Sequence, residues 1–420
     1  MPPLTPTTSA RHRAPLTTAL AVAVVATALT LPAAPNAAAD TGQCTFPAEP
    51  YQGRPWALQR VLLDELWDES TGKGVEVAVI DTGVDVKHPQ LARAVDPSKG
   101  LNSLPAEPED DNGDPVPRGK ADGTGDTVGH GTRVAGLIAA RPAKGTGFVG
   151  LAPDARIIPI HQNDAHGNGT AASLATSIRH AIDEGADVIN ISQDTANAVE
   201  SSPDLKQQIN AALDAEIVVV ASAGNDGLGG NVKNTYPASE PGVLAVAASD
   251  RNNERAPFSQ SGEFVGVAAP GVDMVSTVPG GGHCADNGTS FAAPYVAAVA
   301  ALLRAKHPDW PARRIVAQIQ QTAERSVAGH DRLVGWGVVD PVRALTEDDR
   351  PVDEPVADEG VNRAEAPTAP RVDLGESAAD RNARLATYVT VAATVLAAVL
   401  AGVAVTVRDR SRRRDGHSRA

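Results

Sequence analysis

The sequence predicts an α/β fold, a mostly parallel sheet with helices on both faces, followed by one C-terminal transmembrane helix. Three observations lead there. Short β-branched runs alternate with segments of helical periodicity, the pattern of βαβ units. Most of those runs are apolar without interruption, as expected of strands buried on both faces. A separate uncharged stretch, Leu385 to Val407, is long enough to cross a bilayer.

The chain opens with Arg11, His12 and Arg13, a largely apolar run from Leu16 to about Leu31, and small residues ending at Ala37, Ala38 and Ala39. This layout predicts a secretory signal over residues 1–39, cleaved after Ala39. An uncleaved N-terminal anchor is the competing reading, since the run approaches the ~20 residues of a membrane span. Under both readings the chain beyond Ala39 is exported, giving an N-terminal extension over 40–73 and a main domain over 74–346. In that part Val75 to Asp81, Arg156 to His161, Ala186 to Ser192, Glu216 to Gly224, Val243 to Asp250 and Phe264 to Gly271 read as strands. Gly169 to Glu184 and Asp204 to Ala215 have helical spacing, with Pro203 ahead of the second. In a parallel sheet covered on both faces, functional groups collect at the carboxyl ends of strands, which directs attention to Asp81, Ser192 and Asn225.

Residues 347–384 are acidic and Pro-rich, a composition that buries too little apolar surface to fold and therefore predicts a linker. The transmembrane helix is predicted over 385–407. The tail, 408–420, carries Arg408, Arg410, Arg412, Arg413, Arg414 and Arg419 against Asp409 and Asp415. By the positive-inside rule the tail is cytoplasmic and the main domain lies outside the cell membrane.

The net charge of −14 and pI near 5.2 argue against a nucleic-acid partner, which requires a basic face. The chain has two cysteines, Cys44 and Cys284. Both fall in the exported part, where thiols are usually paired, so a Cys44–Cys284 disulfide is predicted; two free thiols are the competing reading. The bond would pin the extension across the domain near Ser290.

Four stretches carry candidate chemistry. Val77 to Asp85 places the carboxylate of Asp81 at the end of an apolar strand, where a turn former or cap is the plain reading. Gly129-His130-Gly131 sets an imidazole between two glycines ahead of the apolar run Val134 to Ala140. Ser222 to Gly227 ends a strand in the amide of Asn225, a residue that also serves simply to adopt a left-handed turn. Asn287 to Val296 opens a small, apolar helix running through Leu303; Ser290 there suits an N-cap, or a nucleophile favoured by the helix dipole. Pro294 is expected in the first turn, where proline is tolerated.

In the order Asp, His, Asn, Ser, over roughly Gly74 to Leu345, these motifs resemble the subtilisin-type serine proteases. The resemblance implies a catalytic domain over 74–346 acting on a protein or peptide substrate. It implies that Ser290 is the nucleophile, His130 the general base and acid, and Asp81 the group that orients the imidazole. It further implies Asn225 in the oxyanion hole and Ser192 and Gly224 in substrate binding. Signal, Cys-bearing extension, linker, membrane helix and basic tail together are similar to the mycosins, membrane proteases associated with type VII secretion systems of actinobacteria. That likeness implies a place beside the secretion membrane complex. A scaffold subunit in which proteolysis is incidental is the alternative.

One departure from the family pattern bears on specificity. After Asn190-Ile191-Ser192 the chain continues Gln193-Asp194-Thr195 rather than in small residues, which leaves the substrate pocket's shape and charge open. No cofactor or metal is expected. The acidic loop with Glu107, Glu109, Asp110, Asp111 and Asp114 fits no EF-hand spacing, and His283 beside Cys284 is too few ligands for zinc.

Overall fold

The apolar runs pair as strands of one parallel sheet in a computed structural model that describes residues 44–105, 118–164, 169–192, 201–230, 234–358 and 378–416. Outside the described residues lie the predicted signal, the acidic centre of the 106–117 loop, Gln193-Asp194-Thr195, residues 359–377 of the predicted linker and the last four residues of the tail. The strands are β1 (Glu76–Asp81), β2 (Leu101–Asn102), β3 (Arg156–His161), β4 (Val188–Ile191), β5 (Val218–Ser222), β6 (Leu244–Ser249) and β7 (Val265–Pro270). Their order across the sheet is β2-β3-β1-β4-β5-β6-β7, and every pairing is parallel. The chain leaves β1 for β3 on one side and returns to β4 on the other. Strand order therefore reverses at β1, and the crevice at its carboxyl end is where such folds bind ligands.

Side chains of β1 alternate between two cores. Val77 and Val79 join one, with Ile157, Val188 and Val220; Ala78 and Ile80 join the other, with Ile158, Ile189 and Ile191. The first core is covered by α3 (His130–Ala139) and α6 (Thr289–Lys306), the second by α4 (Ala171–Asp183) and α5 (Pro203–Asp214). The helix starts follow from side-chain chemistry. Thr170 and Ser173 form a reciprocal capping box at α4. Ser202 caps α5, whose first residue is Pro203, a position with no amide to lose. Helix α6 is buried from Thr289 to Arg304, as an all-round apolar helix must be.

The N-terminal extension is built into the domain. After α1 (Trp56–Gln59) and α2 (Leu63–Glu69), Ser70 Oγ donates to Leu302 O of α6 at 2.8 Å, and Trp67 Nε1 donates to Leu151 O at 2.9 Å. Upstream, residues 44–51 run as a strap along the hairpin of β8 (Met274–Thr277) and β9 (His283–Asp286). Ala48 N donates to Gly281 O and His283 N to Glu49 O. Cys44 and Cys284 are disulfide-bonded with Cα atoms 5.9 Å apart. Beside the bond, His283 Nδ1 accepts from Tyr51 N at 3.1 Å and Nε2 meets Gln90 Oε1 at 2.7 Å. Burial and the neighbouring His88 push the His283 pKa down to about 4, so the imidazole is neutral and its Nδ1 stays an acceptor.

At the other end α7 (Ala312–Gln321) and α8 (Pro341–Thr346) close the domain. The acidic stretch after Glu347, expected to be detached from its start, is docked through Asp358. Arg314 Nε donates to Asp353 Oδ1 at 2.9 Å, and Val356 N donates to Gln321 Oε1 at 2.7 Å. Composition foresaw little apolar burial but not ion pairs and amide bonds to α7 and the turn after it. A second unit, residues 360–420, contains α9 (Ala378–Gly416), which extends beyond both ends of the uncharged run 385–407. Within its span Ala379–Arg410 an 18-residue window reaches mean hydropathy 2.3, and the span is long and apolar enough to cross a membrane.

Candidate active site

Asp81 ends β1 and is fully buried. Its Oδ1 accepts from the backbone N–H of Thr82 at 2.7 Å and pairs with His130 Nδ1 at 2.7 Å. His130 is the first residue of α3. The turn before it is made by Gly129, whose φ of 83° suits a residue without a Cβ. Gly131 is required by space: a Cβ there would lie 2.1 Å from Gly83 O and 3.0 Å from Asp81 Cβ. The glycines on either side of the imidazole therefore have separate tasks, one turning the chain and one letting α3 approach β1. Burial works to lower the His130 pKa, but the charge of Asp81 and its hydrogen bond outweigh this and raise it above the ordinary imidazole value.

Ser290 lies at the start of α6 and is 5% exposed. It is not the N-cap: Gly288 takes that position, Thr289 is the first helical residue and Ser290 the second, with no side-chain cap bond. Pro294 is correspondingly in the second turn rather than the first. Lacking an N–H, it cannot pair with the carbonyl of Ser290 one turn earlier. The ring of Phe291, next to Ser290, is 5.3 Å from the His130 ring, and Arg133 of α3 lies over that ring at 5.5 Å. His130 thus bonds Asp81 at the carboxyl end of β1, and its ring lies near that of Phe291, the residue after Ser290.

Asn225 follows β5, and its side chain is held from the α6 side. Asn225 Oδ1 accepts from Thr289 N at 2.9 Å and from Thr289 Oγ1 at 3.0 Å. With its oxygen committed, the amide must present its N–H₂ elsewhere. Gly224, at φ 105°, donates its N–H to Thr289 Oγ1 at 3.1 Å. Ser192, just past the end of β4, is buried and accepts from Asn190 Nδ2 at 2.8 Å. Sequence reasoning missed Thr289, Thr82 and Asp126.

The strap reaches this region too. Phe46 packs against Gly129, the residue before His130. Phe46 and Pro47 line a cavity of about 420 Å³ with Asp85, Lys87, His161 and Pro279. Among the described residues no group of three or more His, Cys, Asp or Glu is arranged to hold a metal ion.

A buried acid–imidazole pair beside a helix-borne serine, at the reversal point of a parallel sheet, belongs to the chemistry of serine endopeptidases. The chain is a member of the subtilase family, whose model matches residues 72–337. It is 37% identical to the thermophilic serine proteinase of Bacillus sp. (strain AK1) over 297 residues, 70% of this chain and 68% of that one. It is 36% identical to subtilisin Savinase of Lederbergia lenta over 289 residues, covering 69% of this chain and 97% of the relative. Among solved structures it is similar to the MycP3 protease from the type VII (ESX-3) secretion system, with TM-score 0.61, 34% identity, and 72% and 90% of the two chains covered. Similarity to MycP1 from Mycobacterium smegmatis gives TM-score 0.58 and 31% identity over 77% and 92%.

Proposed function

We propose that this subtilisin-type protease hydrolyses peptide bonds through an acyl-enzyme on Ser290, as a membrane-anchored enzyme acting beside a type VII secretion complex. The observation that carries the chemistry is the 2.7 Å bond from His130 Nδ1 to buried Asp81. It fixes the tautomer that leaves Nε2 free to take the Ser290 proton, and it steadies the imidazolium that forms. His130 then returns the proton to the leaving amine. Asn225 Nδ2 and the Ser290 N–H stabilise the oxyanion, while Ser192 and Gly224 border the substrate. The test is a fluorophosphonate probe: the labelled peptide is expected to contain Ser290, and label on any other residue overturns the assignment.

Asn225→Ala is expected to lower kcat by about 10²–10³, the effect of losing one such donor in a subtilisin, carried over by analogy. An unchanged kcat on a peptide substrate removes Asn225 from the mechanism.

The location rests on α9 and on the likeness to MycP proteases. With α9 across the membrane, the Arg-rich tail is cytoplasmic and the catalytic domain faces outward. A chain ending at Gly375 is expected to be released as soluble, active enzyme, because it keeps the segment through Asp358 that docks on α7. Retention of that truncated chain in the membrane fraction would show a second anchor.

A further inference from the structure

We propose that Asp126 is a positioning residue for the reaction, its carboxylate locking the end of β1 and the start of α3 into one unit so that Asp81 and His130 stay in register. The inference rests on the triad proposed above. Asp126 is buried, and five donors converge on it. Oδ1 accepts from Thr82 Oγ1 at 3.0 Å, Val128 N at 3.0 Å and Gly129 N at 2.7 Å. Oδ2 accepts from Thr132 N at 2.9 Å and Thr132 Oγ1 at 2.7 Å.

The donors come from both elements that supply the pair. Thr82 directly follows Asp81, and its N–H donates to Asp81 Oδ1 at 2.7 Å. The Thr82 hydroxyl, while donating to Asp126, accepts from Gly131 N, the amide next to His130, at 2.9 Å. A carboxylate serving only as a helix cap would need the Gly129 and Thr132 amides alone; the Thr82 bridge is superfluous to a cap and ties the helix to the strand. Deleting the carboxylate strands buried donors on both sides, and the relief available to them is to separate β1 from α3. Displacements of about 1 Å between reacting groups cost on the order of 10²-fold in rate.

Full-length protein in detergent supplies the test, with active sites counted by fluorophosphonate titration and kcat and KM measured on a peptide anilide. Asp126→Ala is expected to lower kcat per titrated site by about tenfold or more, with KM changed by less than about twofold. A folded variant whose kcat per site is unchanged, or whose loss is confined to KM or to the number of titratable sites, overturns the proposal. Thr82→Val keeps the carboxylate and the helix-start donors and removes the bridging hydroxyl alone. It is expected to lower kcat per site in the same way but less, and if Asp126→Ala does not fold it decides the matter: unchanged kcat per site overturns the proposal. Failure of the underlying triad is distinguishable, because the wild-type label would then fall outside Ser290.

Discussion

Ser290→Ala is expected to give a folded protein whose kcat is lower by about 10⁶, a magnitude measured in a subtilisin and carried here by analogy. The substitution deletes one hydroxyl and with it the nucleophile. What it leaves intact is the start of α6, where Gly288 is the cap and the serine side chain makes no cap bond. Alanine is the best helix former, so the helix loses nothing in propensity. Thermal unfolding of the variant should match that of the wild type, while hydrolysis of a peptide anilide falls to the residual supplied by binding and the oxyanion donors. A folded Ser290→Ala protein that retains more than about a hundredth of wild-type kcat would place the nucleophile elsewhere.

Asp81→Asn is expected to lower kcat by about 10⁴ at neutral pH, the effect of the equivalent change in another serine protease. The shape of the side chain is preserved, so the protein should fold, although Thr82 N and His130 Nδ1 share Oδ1 and an amide nitrogen placed there can accept from neither. Two things are lost at His130. An amide that turns its N–H₂ toward the ring selects the tautomer with the proton on Nε2, which cannot accept from Ser290. The negative charge that raises the His130 pKa also disappears, so the imidazolium formed during attack has no counter-ion. Steady-state kinetics across pH decide it: activity within about tenfold of wild type at neutral pH contradicts the assigned role.

The sheet was legible because its strands are fully buried and declare themselves as apolar β-branched runs. Each of the six predicted runs holds a strand, from Glu76–Asp81 to Val265–Pro270. The hairpin of Met274–Thr277 and His283–Asp286 was not legible, since it is short, mixed in polarity and held partly by the distant strap around Cys44. Strand β2 escaped for the same reason, being two residues long. At the site, the motifs pointed to Asp81, His130, Asn225 and Ser290; the structure bonds His130 to Asp81 and Asn225 to Thr289, the residue before Ser290. Local pattern misjudged the start of α6. The cap was read from the serine's chemistry, whereas the backbone turn at Gly288 sets the helix two residues earlier. Thr289 and Asp126 were invisible because their value lies in partners 64 and 44 residues away, Asn225 and Thr82, which no local window contains.

The Cys44–Cys284 bond closes a covalent ring that includes Asp81, His130 and Asn225 and stops six residues short of Ser290. A protease is exposed to its own activity and to that of its neighbours. A single break anywhere inside that ring, for example in the acidic loop between Pro105 and Arg118, does not divide the molecule. Both pieces remain joined to the part of the chain that continues into α9, and they separate only when the break is accompanied by a reductant. The ring thus gives this enzyme a tolerance to nicking that an open chain of the same fold lacks.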